Sequence, residues 1–251
     1  MLRRDTKTDR GLALIKVMAF IRRLPGMSPD EFHGYWRDVH APRFAASADL
    51  APYLRRYELN HRLAADYERE RHPGEVAGVQ WDGVAVQWFE SLDAFREFAA
   101  HPAREEITAI DQPRFRTLET ASVITHDASV IVDKPGGRER AGLKLLCILR
   151  RNKALDLATF HDHWLKHHGG IFQTIPSLNA PLLAYDQNHG LEIEGAEFDG
   201  LTEQWFESMT EWIASLDAPE CTTVVEPDVA YMLDPPSIQY ILGGQPTVVI
   251  G

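Results

Sequence analysis

Two segments of the sequence each place a tryptophan between two histidines at helical spacing. They are "HGYWRDVHAP", with His33, Trp36 and His40, and "HDHWLKHHGG", with His161, Trp164 and His168. Intervals of three and seven residues fall on one face of an α-helix. His40 and His168 would lie at helix C-termini, where the helix dipole favours a protonated imidazole, so either could act as a general acid or base. The structural alternative is a histidine that hydrogen-bonds the last carbonyls of its helix.

The recurrence of this motif belongs to an internal duplication. "KVMAFIRR" matches "KLLCILRR" at a shift of 128 (144 − 16), and "YELNH" matches "YDQNH" at the same shift. "DGVAVQWFES" matches "DGLTEQWFES" at a shift of 117 (199 − 82). The segment "DKPGGRER" between the copies contains the proline and glycines of a linker. We therefore divide the chain into an N-terminal unit, residues 1–132, a linker, residues 133–140, and a C-terminal unit, residues 141–251.

Each unit shows the element order β-α-β-β-α-β. A buried strand over residues 14–21 precedes a helix that begins with the capping box of Ser28 and Glu31 and should end near Val39, before "HAP". Strands over "RRYELNH" and "GVAVQWF", a helix that begins at Ser91, and a strand over "ASVITHD" follow. This is the ferredoxin-like arrangement, which leaves one sheet face bare. We expect an α+β protein in which two such units pack sheet to sheet within one chain.

The second strand of each unit carries a tyrosine and a histidine four residues apart, hence on one face of the sheet. The pairs are Tyr57 with His61 and Tyr185 with His189. Polar side chains on an inward face need partners or a ligand, so each pair could orient a substrate carbonyl or phenol. The alternative is a buried tyrosine hydrogen bond that joins the two sheets. Asn60 and Asn188 point to the opposite face, where we expect structural contacts with turns or helices.

Paired tryptophans could form the walls of an apolar cavity for an aromatic ligand, although packing in the core is the simpler interpretation. They are Trp36 and Trp164 on the helices, and Trp88 and Trp205 on the third strands. On the same strands Val86 aligns with Glu203. If one barrel end is active, this asymmetry would mean that the halves have diverged and left one working pocket, and the sequence leaves open whether one or both pockets work. A charged residue at a sheet edge is the alternative.

The sequence offers little support for a metal or an organic cofactor. His163 and His167 have chelating spacing, yet no acidic third ligand follows on that helix face, and the first unit has Tyr35 and Val39 there. GxGxxG, P-loop and GxSxG patterns are absent. The two cysteines, Cys147 and Cys221, form no CxxC pair and should be buried thiols. We predict no metal and no cofactor, while a haem, which needs one axial histidine, stays an alternative.

Composition favours a globular protein that binds a small molecule rather than nucleic acid or a membrane. The 251 residues, 44% of them hydrophobic, suffice for one large core or two small ones. A net charge of −11 opposes contact with nucleic acid and with anionic lipid surfaces. The sequence lacks both a long apolar run and a signal-peptide pattern, so we expect a cytoplasmic protein. A homodimer of two such chains stays open.

The segments "RLPGMSPDEFHGYWRDVHAP", "RRYELNH" and "DGVAVQWFES" together resemble the EthD family, small proteins of the dimeric α+β barrel class. The resemblance covers nearly the whole chain and is weaker in the second copy, where Gly169 and Gly170 replace the Ala-Pro pair. It implies that two ferredoxin-like units form, within one chain, the barrel that two identical chains form in most of the class. His40 and His168 match the recurrent histidine of the family. Glu203 lies where family members often carry a carboxylate, which implies a substrate-binding role.

Relatives in this class include dehydratases, polyketide cyclases, lactone isomerases, hydroxynitrile lyases and oxygenases with or without haem, so the resemblance implies the fold more strongly than the reaction. The leading hypothesis is a cofactor-independent lyase, dehydratase or isomerase that acts on a small apolar molecule, aromatic, lactone or polyketide-like, inside the barrel. His40 or His168 would transfer a proton, and a tyrosine–histidine pair would polarise an oxygen. The alternatives are an oxygenase of the same fold and a non-catalytic ligand-binding or accessory protein.

Overall fold

The computed structural model describes residues 14–70, 81–119, 121–194, 196–234 and 238–251. The strands in these ranges are β1 (Ile15–Ile21), β2 (Arg56–His61), β3 (Gly83–Phe89), β4 (Ala121–Thr125), β5 (Ser129–Asp133), β6 (Leu143–Leu149), β7 (Ala184–His189), β8 (Gly200–Phe206), β9 (Gln239–Gly243) and β10 (Thr247–Ile250). The α-helices are α1 (Pro29–Tyr35), α2 (Ala41–Ala46), α3 (Ala64–Glu68), α4 (Leu92–Ala100), α5 (Pro102–Phe115), α6 (Gly137–Arg140), α7 (Leu157–His163), α8 (Gly169–Thr174), α9 (Pro176–Asn179), α10 (Met209–Leu216) and α11 (Glu226–Met232). No helix of the described ranges has the length and apolar character needed to span a membrane.

The strands form two antiparallel five-stranded sheets, in the orders β10-β2-β3-β1-β4 and β5-β7-β8-β6-β9. Four strands of each sheet come from one copy of the duplication, which confirms the predicted α+β fold of two ferredoxin-like units. The fifth strand of each sheet was not predicted. It comes from the other copy, because β5 pairs with β7 and β10 pairs with β2. This reciprocal exchange covers one edge of each sheet and ties the two units together.

The inner faces of the two sheets pack directly on each other. Their shared apolar cluster includes Met18, Phe20 and Val86 from the first sheet and Leu146 and Ile148 from the second. All five side chains are fully buried or nearly so. Side chains fill this space, so the described part of the barrel interior is a core. The expectation of a ligand held between the sheets is therefore wrong.

The helix that carries the first histidine motif continues past its predicted end at Val39. A π-helical turn, Trp36–His40, follows α1 and leads into α2, and the Ala41 N–H donates to the Trp36 carbonyl five residues back. Pro42, which has no N–H to donate, lies in the first turn of α2, where proline is tolerated. The second copy has the same turn at Trp164–His168, between α7 and α8. Such π turns are frequent at functional sites.

Candidate functional site

A cavity of about 410 Å³ lies between the second sheet and the helices that cover its outer face. Most of its lining is apolar, and its polar side chains include His168, Tyr185, Thr202, Gln204 and Ser215. The helix-facing core of the first unit is one continuous cluster, whereas that of the second unit is split into two, and both contribute to the cavity wall. The cavity therefore occupies a break in the second core.

Replacement of a buried aromatic side chain explains why the second unit has this space. In the first unit Phe98 is 2% exposed, and its ring centroid lies 5.2 Å from that of Phe89 and 6.1 Å from that of Phe44. The shift of 117 places Ser215, a residue of the cavity wall, at the position of Phe98. Packing that closes the first unit is thus missing in the second. The structure supports the prediction that the halves have diverged, although through residues that the prediction did not name.

His168 lies in the cavity wall and is held there by a buried carboxylate. Its Nδ1 lies 2.7 Å from Oδ2 of Asp228 on α11. Burial raises the pKa of Asp228, but hydrogen bonds from His168 and His163 outweigh this and hold the pKa below its ordinary value. The ionised carboxylate can only accept, so Nδ1 carries the hydrogen and Nε2 is left as the proton acceptor of the ring. The pair has the arrangement of a general base with its orienting group.

The first unit repeats this pair in a closed environment. His40 Nδ1 lies 3.3 Å from Oδ2 of Asp111, the residue that the shift of 117 aligns with Asp228. The centroid of the His40 ring lies 4.8 Å from that of Phe115 and 5.1 Å from that of Phe44. Burial lowers the pKa of His40 to about 4, so this imidazole is neutral at pH 7. Desolvation thus outweighs the helix dipole that was expected to favour its protonated form.

The tyrosine–histidine pairs face the helices rather than the opposite sheet. Tyr185 lies in the cavity wall, and the amide of Gln187 donates to its Oη over 2.9 Å. Burial raises the pKa of Tyr185, which keeps the phenol protonated. His189 contacts Gln187, with 3.2 Å between its Nε2 and the amide oxygen, and does not line the cavity. Burial lowers the pKa of His189 to about 4.

The corresponding pair in the first unit is enclosed by side chains. Tyr57 is buried in the helix-facing core, and its ring contacts Phe44. His61 lies against the first histidine of the helical motif, with 2.9 Å between its Nδ1 and that of His33. Burial lowers the pKa of His61 to about 4. The sequence motif therefore brings His33 and His61 together, while His40 contacts a different set of residues.

Glu203 lies between the two sheets, outside the cavity. It accepts hydrogen bonds from Lys16 of the first sheet and from Lys144, the latter over 2.7 Å. Each lysine also donates to an asparagine of the opposite unit, Lys144 to Asn60 over 2.8 Å and Lys16 to Asn188 over 2.9 Å. The expectation that the asparagines contact turns or helices is therefore wrong. Glu203 balances two buried lysines across the sheet interface.

Two of the four tryptophans lie on the helix-covered side of a sheet, and the other two lie between the sheets. Trp164 is fully buried, lines the cavity and approaches Gly200 so closely that a Cβ there would lie 2.6 Å from the indole ring. Trp36 has the same relation to Gly83 in the filled first unit. Trp88 and Trp205 lie between the sheets. The Nζ of Lys16 is 5.3 Å from the Trp88 ring centroid, and the Nζ of Lys144 is 5.0 Å from the Trp205 ring centroid. Trp164 is thus the tryptophan of this set that could contact a ligand in the cavity.

Comparison of the sequence with protein-family models matches the EthD domain at residues 24–119 and 152–236. The chain belongs to the EthD family. Each of the two EthD segments contains one complete histidine–carboxylate pair, His40 with Asp111 and His168 with Asp228. A comparison with curated proteins finds no match.

Solved structures share the fold of this EthD protein at low sequence identity. An anthrone oxidase-like protein is 11% identical, with a TM-score of 0.60 over 96% of this chain and 94% of its own. A candidate monooxygenase from Lactobacillus acidophilus NCFM is 12% identical, with a TM-score of 0.50 over 94% and 99%. Chlorite dismutase from Candidatus Nitrospira defluvii, in complex with imidazole, is 8% identical, with a TM-score of 0.51 over 92% and 90%. These likenesses show the fold and leave the reaction to the site.

Sequence reasoning identified the histidine of the catalytic candidate but missed its partner. His168 and Asp228 are 60 residues apart and lie on different helices. The signal that could have found the partner was the duplication itself, since the shift that aligns the third strands also aligns Asp111 with Asp228. An acidic residue retained at the same place in both copies of a helix suggests a paired role.

Proposed function

We propose that this protein is an enzyme that removes a proton from a small, uncharged and largely apolar molecule bound in the cavity of the second unit. His168 is the base, and the reaction is that of a lyase, dehydratase or isomerase. The observation that carries the proposal is the position of His168, which lines an apolar cavity while its Nδ1 is fixed by a buried carboxylate. The first unit keeps the pair but surrounds it with aromatic rings.

The cavity wall restricts the class of substrate. Its volume falls within the range of small-molecule pockets, about 300–1,000 Å³. Among the described residues that line it, none is a lysine or an arginine. An anionic ligand would lose its hydration there without a cationic partner, which is costly. A haem, with its two carboxylates, does not fit this lining, and a neutral aromatic or lactone-like compound does.

The geometry supports proton transfer in two steps. His168 takes a proton from an acidic C–H or O–H of the substrate at Nε2, and the imidazolium that forms is stabilised by Asp228 through Nδ1. The protonated Tyr185 can donate to the substrate oxygen on which negative charge develops. Imidazolium then returns the proton to another atom, which is isomerisation, or to a departing hydroxyl, which leaves as water.

An oxygenase is the second candidate, and the names of the fold neighbours favour it. The same first step would convert anthrone, a tricyclic ketone, into a carbanion that reacts with dioxygen. The balanced reaction is anthrone plus O2 giving anthraquinone plus water, with the substrate oxidised and dioxygen reduced. The chain would then need only the base and the apolar cavity, and the oxidant would be dissolved oxygen.

Anthrone tests both candidates, because it is uncharged and apolar and its methylene protons are acidic. Without oxygen, nuclear magnetic resonance follows the exchange of its methylene protons for deuterium from heavy water; with oxygen, an electrode follows consumption of the gas. We expect the wild type to accelerate one of these conversions. The rate of His168→Ala should be lower by roughly 10²–10⁴-fold, which is the usual contribution of a general base. His40→Ala is the matched control and should retain activity. Equal rates for His168→Ala and the wild type would refute the proposal, and binding without conversion would favour a ligand carrier.

A further inference from the structure

Asp228 has a second face that the proposed reaction does not use. Its Oδ2 accepts from His168, whereas its Oδ1 lies 2.6 Å from Nε2 of His163 and 3.5 Å from Nε2 of His167. The ligating atoms of His163, His167 and Asp228 all lie within 4.8 Å of one another. Two imidazoles at i,i+4 on one helix and a carboxylate from another thus converge on one point.

The third ligand that sequence analysis could not find on the helix comes from α11. Two histidines and an aspartate are a donor set suited to divalent ions of the Zn²⁺ or Ni²⁺ type, with Zn–N and Zn–O distances of about 2.0–2.2 Å. Ligands at such distances from one ion are about 3–3.5 Å apart, and His167 and Asp228 already have this separation. His163, hydrogen-bonded to Asp228 over 2.6 Å, would exchange that bond for coordination of the ion. The side chain of His167 is 63% exposed, so its ring is free to adjust.

The surroundings of the cluster meet two further requirements of a metal site. Ligating carboxylates are usually held by a hydrogen bond to their second oxygen, and His168 supplies it here. A surface hollow lined by His163, His167 and Tyr231 gives an ion access from solvent and leaves room for water ligands. The other charges in this hollow, Lys166 and Asp162, form an ion pair with each other.

Comparison with the first unit separates this cluster from an ordinary carboxylate hydrogen-bond network. There Tyr35 occupies the place of His163 and donates to Oδ1 of Asp111 over 3.1 Å, and Val39 occupies the place of His167. The guanidinium of Arg43 lies 3.3 Å from the same carboxylate and balances its charge. In the second unit the shift of 128 places Ile171 at that position, so Asp228 has lost the arginine and gained two imidazoles.

We propose that His163, His167 and Asp228 bind one divalent transition-metal ion, with water in the remaining positions. The ion replaces the arginine as the charge partner of the buried carboxylate and fixes Asp228 from the side opposite His168. The proposal shares Asp228 with the reaction assigned to the cavity but is tested apart from it, since metal binding and turnover are measured separately. Failure of one proposal would not refute the other.

Titration calorimetry with Ni²⁺ tests the site on the full-length chain after dialysis against a chelator. We expect one ion per chain, with affinity reduced about 100-fold or more in the double variant His163→Tyr, His167→Val, which restores the residues of the first unit. His126→Ala, which removes an exposed histidine elsewhere, is the matched control and should bind as the wild type does.

Thermal unfolding gives a second measurement that does not depend on turnover. An ion that binds only the folded chain raises the melting temperature, so Ni²⁺ should raise it in the wild type and in His126→Ala but not in the double variant. Circular dichroism without metal verifies that the double variant is folded. Absence of saturable Ni²⁺ binding by the wild type, or equal binding by the double variant, would overturn the proposal.

Discussion

Exchanging one residue between the two copies should close the cavity in the second unit. Ser215→Phe introduces the residue that the first unit has at position 98, into a wall where the cavity measures about 410 Å³. The hydroxyl of Ser215 donates to the Trp212 carbonyl over 2.6 Å, and losing that bond costs about 1 kcal/mol. Burying a phenylalanine side chain contributes about 1.5–3 kcal/mol if the space is empty. The net expectation is a gain in the free energy of unfolding of about 0.5–2 kcal/mol.

The reverse exchange in the first unit is the matched control. Phe98 is 2% exposed and surrounded by aromatic rings, so Phe98→Ser should lower the free energy of unfolding by about 3–5 kcal/mol. Urea unfolding measures both effects. Fluorescence or calorimetric titration with anthrone should show that Ser215→Phe binds the probe far more weakly than the wild type. The assignment of the cavity to the missing ring would be wrong if Ser215→Phe lowered the free energy of unfolding by more than about 1 kcal/mol, as overpacking of a filled core requires, or bound anthrone as the wild type does.

Three further predictions concern stability, each measured by urea unfolding. Glu203→Gln leaves two buried lysines without a carboxylate and should cost about 3–5 kcal/mol; a loss below about 1 kcal/mol would contradict the ion-pair assignment. Gly200→Ala places a Cβ 2.6 Å from the Trp164 ring and should cost about 1–3 kcal/mol, whereas Gly170→Ala, with open space around it, should be neutral or stabilising. Because burial lowers the pKa of His40 from 6.5 to about 4, the unfolded chain takes up a proton first as the pH falls. The His40 contribution to stability should therefore fall by up to about 1.4 kcal/mol per pH unit between pH 6.5 and 4, in addition to like contributions from His61 and His189, and His40→Gln should reduce the total slope by that amount.

Local patterns predicted the elements of the fold but not their surroundings. The capping box at Ser28 forms as expected, with the Glu31 N–H donating to the serine hydroxyl and the Glu31 carboxylate accepting from the Ser28 N–H. Alternation along β2 showed that Tyr57 and His61 share a face, yet alternation alone does not distinguish the face under the helices from the face against the other sheet. The strand exchange of β5 and β10 likewise depends on pairing between distant segments.

The candidate site was predictable only in part for the same reason. His168 and Trp164 stand out by type and spacing, since one helix turn holds them. Asp228 comes from a helix about 60 residues later, and the cavity depends on the absence of a ring at Ser215, which no local pattern records. The alignment of Val86 with Glu203 marked a difference between the halves, but the Glu203 carboxylate lies between the sheets, where it contacts Lys16 of the opposite sheet and Lys144 of its own sheet.

A crystal structure of the protein with anthrone bound would show whether the cavity of the second unit is the site of reaction. We expect density in that cavity, with the acidic carbon of the ligand in contact with Nε2 of His168 and its oxygen near Tyr185. Density between the two sheets beside Glu203, or against His40 in the first unit, would contradict the assignment of the site.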